Sequence, residues 1–206
     1  MCGRTPAAEG SALLAVLVVM ALMSMAGAAL TFLTTAETAI SANHRIGHQV
    51  RYAAEAGIQR AMADLRGLAD WSAAPGQAVS GFVDGTLRPR GPDGTPLDLT
   101  AVSQVWQAES DGRYGRASPD PDRPVWRLFA HDSLSRLAGT AELGLAYVAV
   151  WVADDAAERD GDPSRDSNGV LLLHALAFGP RGARKAIDAT VLQPRPGSIA
   201  VSSWSY

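Results

Sequence analysis

The segment from Asp154 to Asn168 holds the densest group of hard oxygen donors in the chain. Asp154, Asp155, Glu158, Asp160, Asp162, Asp166 and Asn168 fall within it, opposed only by Arg159 and Arg165. Asp160, Asp162, Asp166 and Asn168 supply carboxylate and amide oxygens at alternating positions, the donor type that calcium takes. The stretch is not an EF-hand, because the bidentate glutamate at the twelfth position and the flanking helices are missing. Two readings stand side by side. One is a Ca2+ site built from Asp160, Asp162, Asp166 and Asn168. The other is a solvated hairpin loop in which Asp and Asn bond their own backbone.

Other chemistry-bearing residues do not assemble into a catalytic set. His44 and His48 are four apart and would share a helix face, but the intervening residues are Arg-Ile-Gly and not the Glu-containing zinc-protease pattern. They read as solvated helix histidines. His131, Asp132 and Ser133 are neighbours in sequence, which rarely places side chains in triad geometry. His174 falls in a strand and reads as a sheet-face residue. The only cysteine is Cys2, so thiol and disulfide chemistry have almost no basis. No glycine-rich phosphate loop is present. The expectation is a protein that is not an enzyme. With a net charge of −3, nucleic acid is not an expected partner either.

The elements that must position these residues begin with a long helix. Glu9-Gly10-Ser11 precedes an apolar run from Ala12 to Leu33, and no charge occurs between Glu9 and Glu37. At about 1.5 Å per residue this run spans roughly 33 Å, slightly more than a hydrocarbon core of about 30 Å. From Leu33 onward the pattern turns amphipathic. Ile40, Ile46, Val50, Ala53, Ala54, Ile58, Ala61, Met62 and Leu65 recur at steps of three or four. The pattern predicts one helix, with residues 11–33 in a membrane and residues 34–68 on a folded domain. A cleaved secretory signal with a cut near Ala28, or a plain signal anchor on an envelope protein of unknown function, would also supply an apolar N-terminus.

Downstream, residues 69–124 are rich in Gly, Pro, Asp and Ser and are expected to be irregular, with short strands at 78–83 and 102–108. Residues 125–206 are expected to form an antiparallel sheet. Strands are predicted at 125–130, 146–153, 170–178 and 186–192, with Gly179-Pro180-Arg181-Gly182 as a hairpin turn. In the second of these, Tyr147 and Trp151 point one way and Val148, Val150 and Val152 the other. The tail at 198–206 is either an edge strand or disordered. The fold class is therefore α+β, a long N-terminal helix packed on a C-terminal antiparallel sheet, since the amphipathic half of the helix needs a sheet face to bury its stripe.

Two stretches carry a family resemblance. Gly10-Ser11 and the apolar residues to Ser24 resemble the prepilin signal of type IV pilin-like proteins. Ala53-Ala54-Glu55-Ala56-Gly57 followed by Ile58 resembles the segment that marks minor pilins with a PilX-type N-terminal region and the GspK-like tip pseudopilins of type II secretion. The resemblance implies a pilin-like fold and a short cytoplasmic leader, residues 1–10. It implies cleavage after Gly10 by a prepilin peptidase and methylation of the new N-terminal Ser11. It further implies lateral packing of the helix against other pilins or minor pilins. The expected location is the bacterial inner membrane, then the periplasm or a pilus at the cell surface, with a role in pilus assembly, adhesion or motility. A minor pseudopilin of a type II secretion system is the alternative. Major pilins carry a glutamate at the fifth mature position, where this chain has Ala15. The departure points to a minor subunit that primes or tops a filament.

Overall fold

Helix-forming sequence runs without proline from Ala8 to Arg66, and the whole stretch is one helix, α1. The structure is a computed structural model and describes residues 8–114, 121–139 and 146–206. The leader residues 1–7 lie outside the described residues. The chain divides into two compact units, Met1–Arg45 and Ile46–Tyr206.

The first unit is helix. Every residue from Ser11 to Ser41 is exposed, including Leu13, Leu17, Met20, Phe32 and Leu33. Length and composition make this helix a candidate membrane span. Its hydroxyls are satisfied locally. Ser24, Thr31, Thr34, Thr35 and Thr38 each donate to the carbonyl four residues earlier, at 2.8–2.9 Å. Such back-bonding hides polar groups from an apolar surrounding.

The second unit is built on a five-stranded antiparallel meander in chain order. Its strands are β1 (Arg127–Ser133), β2 (Tyr147–Asp154), β3 (Val170–Phe178), β4 (Arg184–Leu192) and β5 (Ala200–Ser205). The tail is thus an edge strand, held to β4 with a register shift at Thr190/Val191. The stripe on α1 from Val50 to Leu65 packs on one sheet face with Val148, Val150, Val152, Leu171, Leu173 and Ile187. Ile40, expected in this stripe, is exposed; burial starts at the partly covered Ile46.

β2 is buried at all eight positions, so both of its faces are covered. The second face holds Tyr147, Ala149 and Trp151, packed with Phe178, Leu97 and Leu99. This cover comes from α3 (Leu99–Tyr114), which follows the one-turn helix α2 (Ala74–Gln77), and from the chain leading into α3, and it corrects the sequence expectation. Residues 102–108 are helical, not a strand. Leu99, Val102, Ser103, Trp106 and Ser110 fall on one helical face, and the alternation of Val102, Gln104 and Trp106 imitates a strand over that short window. Asp98 starts the helix: its Oδ1 accepts the Ala101 amide at 3.0 Å, an N-cap bond. Residues 78–83 are not a strand of the sheet either. The chain from Ser80 to Asp84 runs along the outer edge of β1, with Ser80 N to Phe129 O at 2.9 Å and His131 N to Phe82 O at 2.8 Å, and makes one parallel bridge at Val83.

Helical docking of α3 separates two substitutions sharply. Leu99 is fully buried and Val105 is 60% exposed. Leu99→Ala is expected to cost about 2–5 kcal/mol. Val105→Asp is expected to stay within about 0.5 kcal/mol. Urea unfolding followed by tryptophan fluorescence checks both.

Candidate functional site

Two regions hold the residues singled out above: the α1 segment with its processing junction, and the β2–β3 connection. On α1, Gly10 and Ser11 are the third and fourth residues of the helix that starts at Ala8. Further along, Ala53, Ala54, Glu55, Ala56 and Gly57 divide the work between packing and bracing. Ala53 and Ala54 are fully buried against the sheet. Gly57 is buried over β2, where a Cβ would run into the Val148 methyl and come within 3.2 Å of Val150 Cγ2. Ala53, Gly57 and Ala61, spaced by four, form a row without bulky side chains, which lets the helix axis approach the sheet closely. Gly179, in the β3–β4 turn, makes the same kind of approach to Val50.

Glu55 braces the C-terminal end of the chain against the helix. Its Oε1 accepts from Arg51 Nε at 3.0 Å and from the Tyr206 hydroxyl at 3.2 Å. The Arg51 guanidinium lies 4.1 Å from the Tyr206 ring centroid. The motif therefore joins the helix to the last residue past β5.

The β2–β3 connection brings together a different carboxylate set from the one read in sequence. Asp154, Glu158 and Asp166 are buried, and one oxygen from each lies within 4.8 Å of the others. Asp166 Oδ1 accepts backbone amides of Asn168, Gly169 and Val170 at 2.7–3.2 Å. Glu158 accepts the Ser167 amide at 2.9 Å. Asn168 Nδ2 donates to Asp155 Oδ1 at 2.7 Å. Asp160 and Asp162 stand apart and exposed. Asp160 accepts the Asp162 amide, and Asp162 accepts both the amide and the hydroxyl of Ser164. These are the local Asx turns of a loop. Of the four expected ligands, only Asp166 is in the buried group. Asp154 was missed as a ligand because it ends a strand, and Glu158 because it lies outside the alternating run.

Burial is the main force on these groups. It pushes the Asp154 carboxyl from its ordinary 3.8 to about 7, with Glu158, Asp166 and Asp155 adding like-charge repulsion. Glu158 and Asp166 are raised by burial as well, against the pull of their backbone amides. Such an oxygen set can hold a hard divalent cation of the calcium kind.

His131 and His174 play structural parts. His44 and His48 are exposed. His131 Nδ1 lies 3.1 Å from both the Tyr147 hydroxyl and Asp84 Oδ1, and the Tyr147 hydroxyl donates to Asp84 at 2.9 Å. Burial, then Asp84, raises the Tyr147 pKa. This group ties the Ser80–Asp84 segment to β1 and β2. Ser133 bonds Asp132 and Ser135, so His131, Asp132 and Ser133 do not form a triad.

Two outcomes are expected. Gly57→Ala should destabilise the protein by about 1 kcal/mol or more, since overpacking of about 1–3 kcal/mol outweighs the better helix propensity of alanine. Gly47→Ala, which meets open space, should gain up to about 1 kcal/mol. Paired urea unfolding curves check the contrast. In chelator, stability should fall as pH rises from about 4 to about 7, because the folded state holds the Asp154 proton that the unfolded chain has already released. Asp154→Asn should flatten that slope in thermal melts across pH. Repeating the melts in calcium separates a cation site, which raises the parent melting temperature and not that of the variant, from a turn-rich loop, which gives equal melts.

Comparison with known proteins bears on the helix. Residues 9–59 match the family model described as PilX N-terminal. The match takes in the Gly10-Ser11 junction, the exposed apolar helix and the Ala53–Gly57 motif, and residues 60–206 lie outside it. No curated protein and no solved structure matches the chain. Over residues 9–59, about a quarter of the chain, the protein is similar to the PilX N-terminal family, which places this segment with type IV pilus-related minor pilins.

Proposed function

We propose that the protein is a non-enzymatic subunit that enters a type IV filament through α1, near the tip or in a priming complex, with a role in surface contact. One observation carries this reading. The apolar surface of α1 from Ser11 to Ser41 is exposed throughout, in a segment that matches the PilX N-terminal model. An apolar helix of this length is stable only against lipid or against similar helices. Ala21, Ala26, Gly27, Ala28 and Ala29 would permit close contacts with neighbouring helices. Ala15, where bulk subunits carry a carboxylate, supports a position outside the repeating filament body.

The reading makes Gly10 the gate to assembly. The proposed prepilin peptidase cuts after this glycine, and a β-branched residue there would not fit a site that selects glycine. Gly10→Val should leave the precursor in the membrane fraction and remove the protein from filaments sheared off the cell, read by immunoblot of both fractions. Wild-type levels of the variant in sheared filaments would contradict the reading.

A further inference from the structure

A cavity of about 220 Å³ opens on the sheet face opposite α1, between α3 and the strands β3, β4 and β5. Its chemistry comes from Trp106, Arg113, Trp126, Asp188, Thr190 and Ser203. The aromatic part is held rigidly. Trp106 stacks on the buried His174, with centroids 3.5 Å apart and planes at 13°. Trp126 meets Trp106 edge-on at 5.4 Å and donates its indole N–H to Ser110 Oγ at 2.8 Å. The Arg113 guanidinium lies 5.1 Å from the Trp106 centroid.

The polar part is similarly fixed. Asp188 Oδ1 lies 2.6 Å from His174 Nδ1, while its side chain stays 41% exposed. The Ser203 hydroxyl donates to Thr190 Oγ1 at 2.8 Å. None of this is required by the packing of α1 or by filament entry.

The combination selects a ligand class. One guanidinium and one carboxylate leave the lining neutral, so an anionic ligand meets Asp188 and a cationic one meets Arg113. A polyol suits both, because each hydroxyl can donate to the carboxylate and accept from the guanidinium. The half-buried Trp126 indole at the cavity suits the C–H face of a sugar ring, and the threonine and serine hydroxyls complete a mixed lining. The volume admits one pyranose ring. We propose that this cavity binds a neutral hexose, free or as the end of a glycan chain. The proposal deepens the surface-contact part of the function above, and purified protein tests it without any filament.

The full chain is purified in a detergent without sugar headgroups and titrated with methyl glycosides of glucose, galactose and mannose. N-acetylneuraminic acid and glucosamine serve as charged controls, and binding is followed by saturation-transfer NMR. At least one neutral glycoside should bind saturably, and the charged sugars should bind at least about tenfold more weakly. Asp188→Asn should weaken binding by at least about tenfold. Ser203→Phe, on an exposed edge-strand position, should fill the cavity and abolish binding while the melting curve is retained. The two variants act through different groups, so misfolding of one leaves the other as the test. A trisaccharide ending in the preferred hexose distinguishes the sources, binding more tightly if the cavity serves glycans and equally if it serves free sugar. Absence of saturable binding by every neutral glycoside would overturn the proposal, as would equal binding of the charged sugars or indifference to both variants. Such a failure with normal filament entry would leave the minor-pilin reading intact.

Discussion

The protein depends on a helix whose apolar surface has to be covered twice, by two kinds of neighbour. From Val50 to Leu65 the cover is the sheet, and contact is close because Ala53, Gly57 and Ala61 present almost no side chain to it. Burying Val50, Ile58 and Leu65 contributes about 1.5–3 kcal/mol each. From Ser11 to Ser41 every residue is exposed, and the hydroxyls turn inward onto the helix backbone. A helix of that composition is not at rest in water. That surface makes α1 a candidate membrane span, and the same segment carries the family match over residues 9–59.

The sheet answers a second constraint. Its central strand β2 is apolar on both sides, so covering one face with α1 is not enough. Helix α3 supplies the other cover, with Leu99 and Val102 against Trp151 and with Trp106 on His174. Trp151 donates its indole N–H to Ser103 Oγ at 2.7 Å, which satisfies a buried donor at the centre of that layer. The same docking of α3 leaves a mixed aromatic and polar cavity beside β4 and β5, while the acidic β2–β3 connection collects carboxylates at the end of the central strand. The two candidate binding regions are therefore by-products of how the sheet is covered, at positions outside the contact of α1 with the sheet.

Sequence patterns were legible where a period extended over many residues. The helix, the antiparallel meander and the two-sided alternation of Tyr147–Val152 are visible in this way, and β3 has the expected bounds of 170 to 178. The α3 helix was not visible, because Val102, Gln104 and Trp106 alternate over too short a window and the N-cap role of Asp98 is shared with ordinary turns. The calcium reading picked an alternating run within one loop. Burial instead depends on where β2 ends and how the connection folds back, which brings Asp154 and Glu158 to Asp166 and leaves Asp160 and Asp162 outside. The role of Gly57 in the family motif became clear only once Val148 was placed beneath it. The cavity unites residues from 106 to 205, a range over which linear spacing carries no information.

Export by the prepilin route, as proposed, differs from ordinary anchoring in where the mature chain begins. The most direct test is the mass of the mature N-terminus, taken from cells with and without a prepilin peptidase. The prepilin route predicts a chain beginning at Ser11, one methyl group heavier than the unmodified sequence, only when the peptidase is present. A chain beginning near Ala29, or an intact Met1 in both cells, would contradict it.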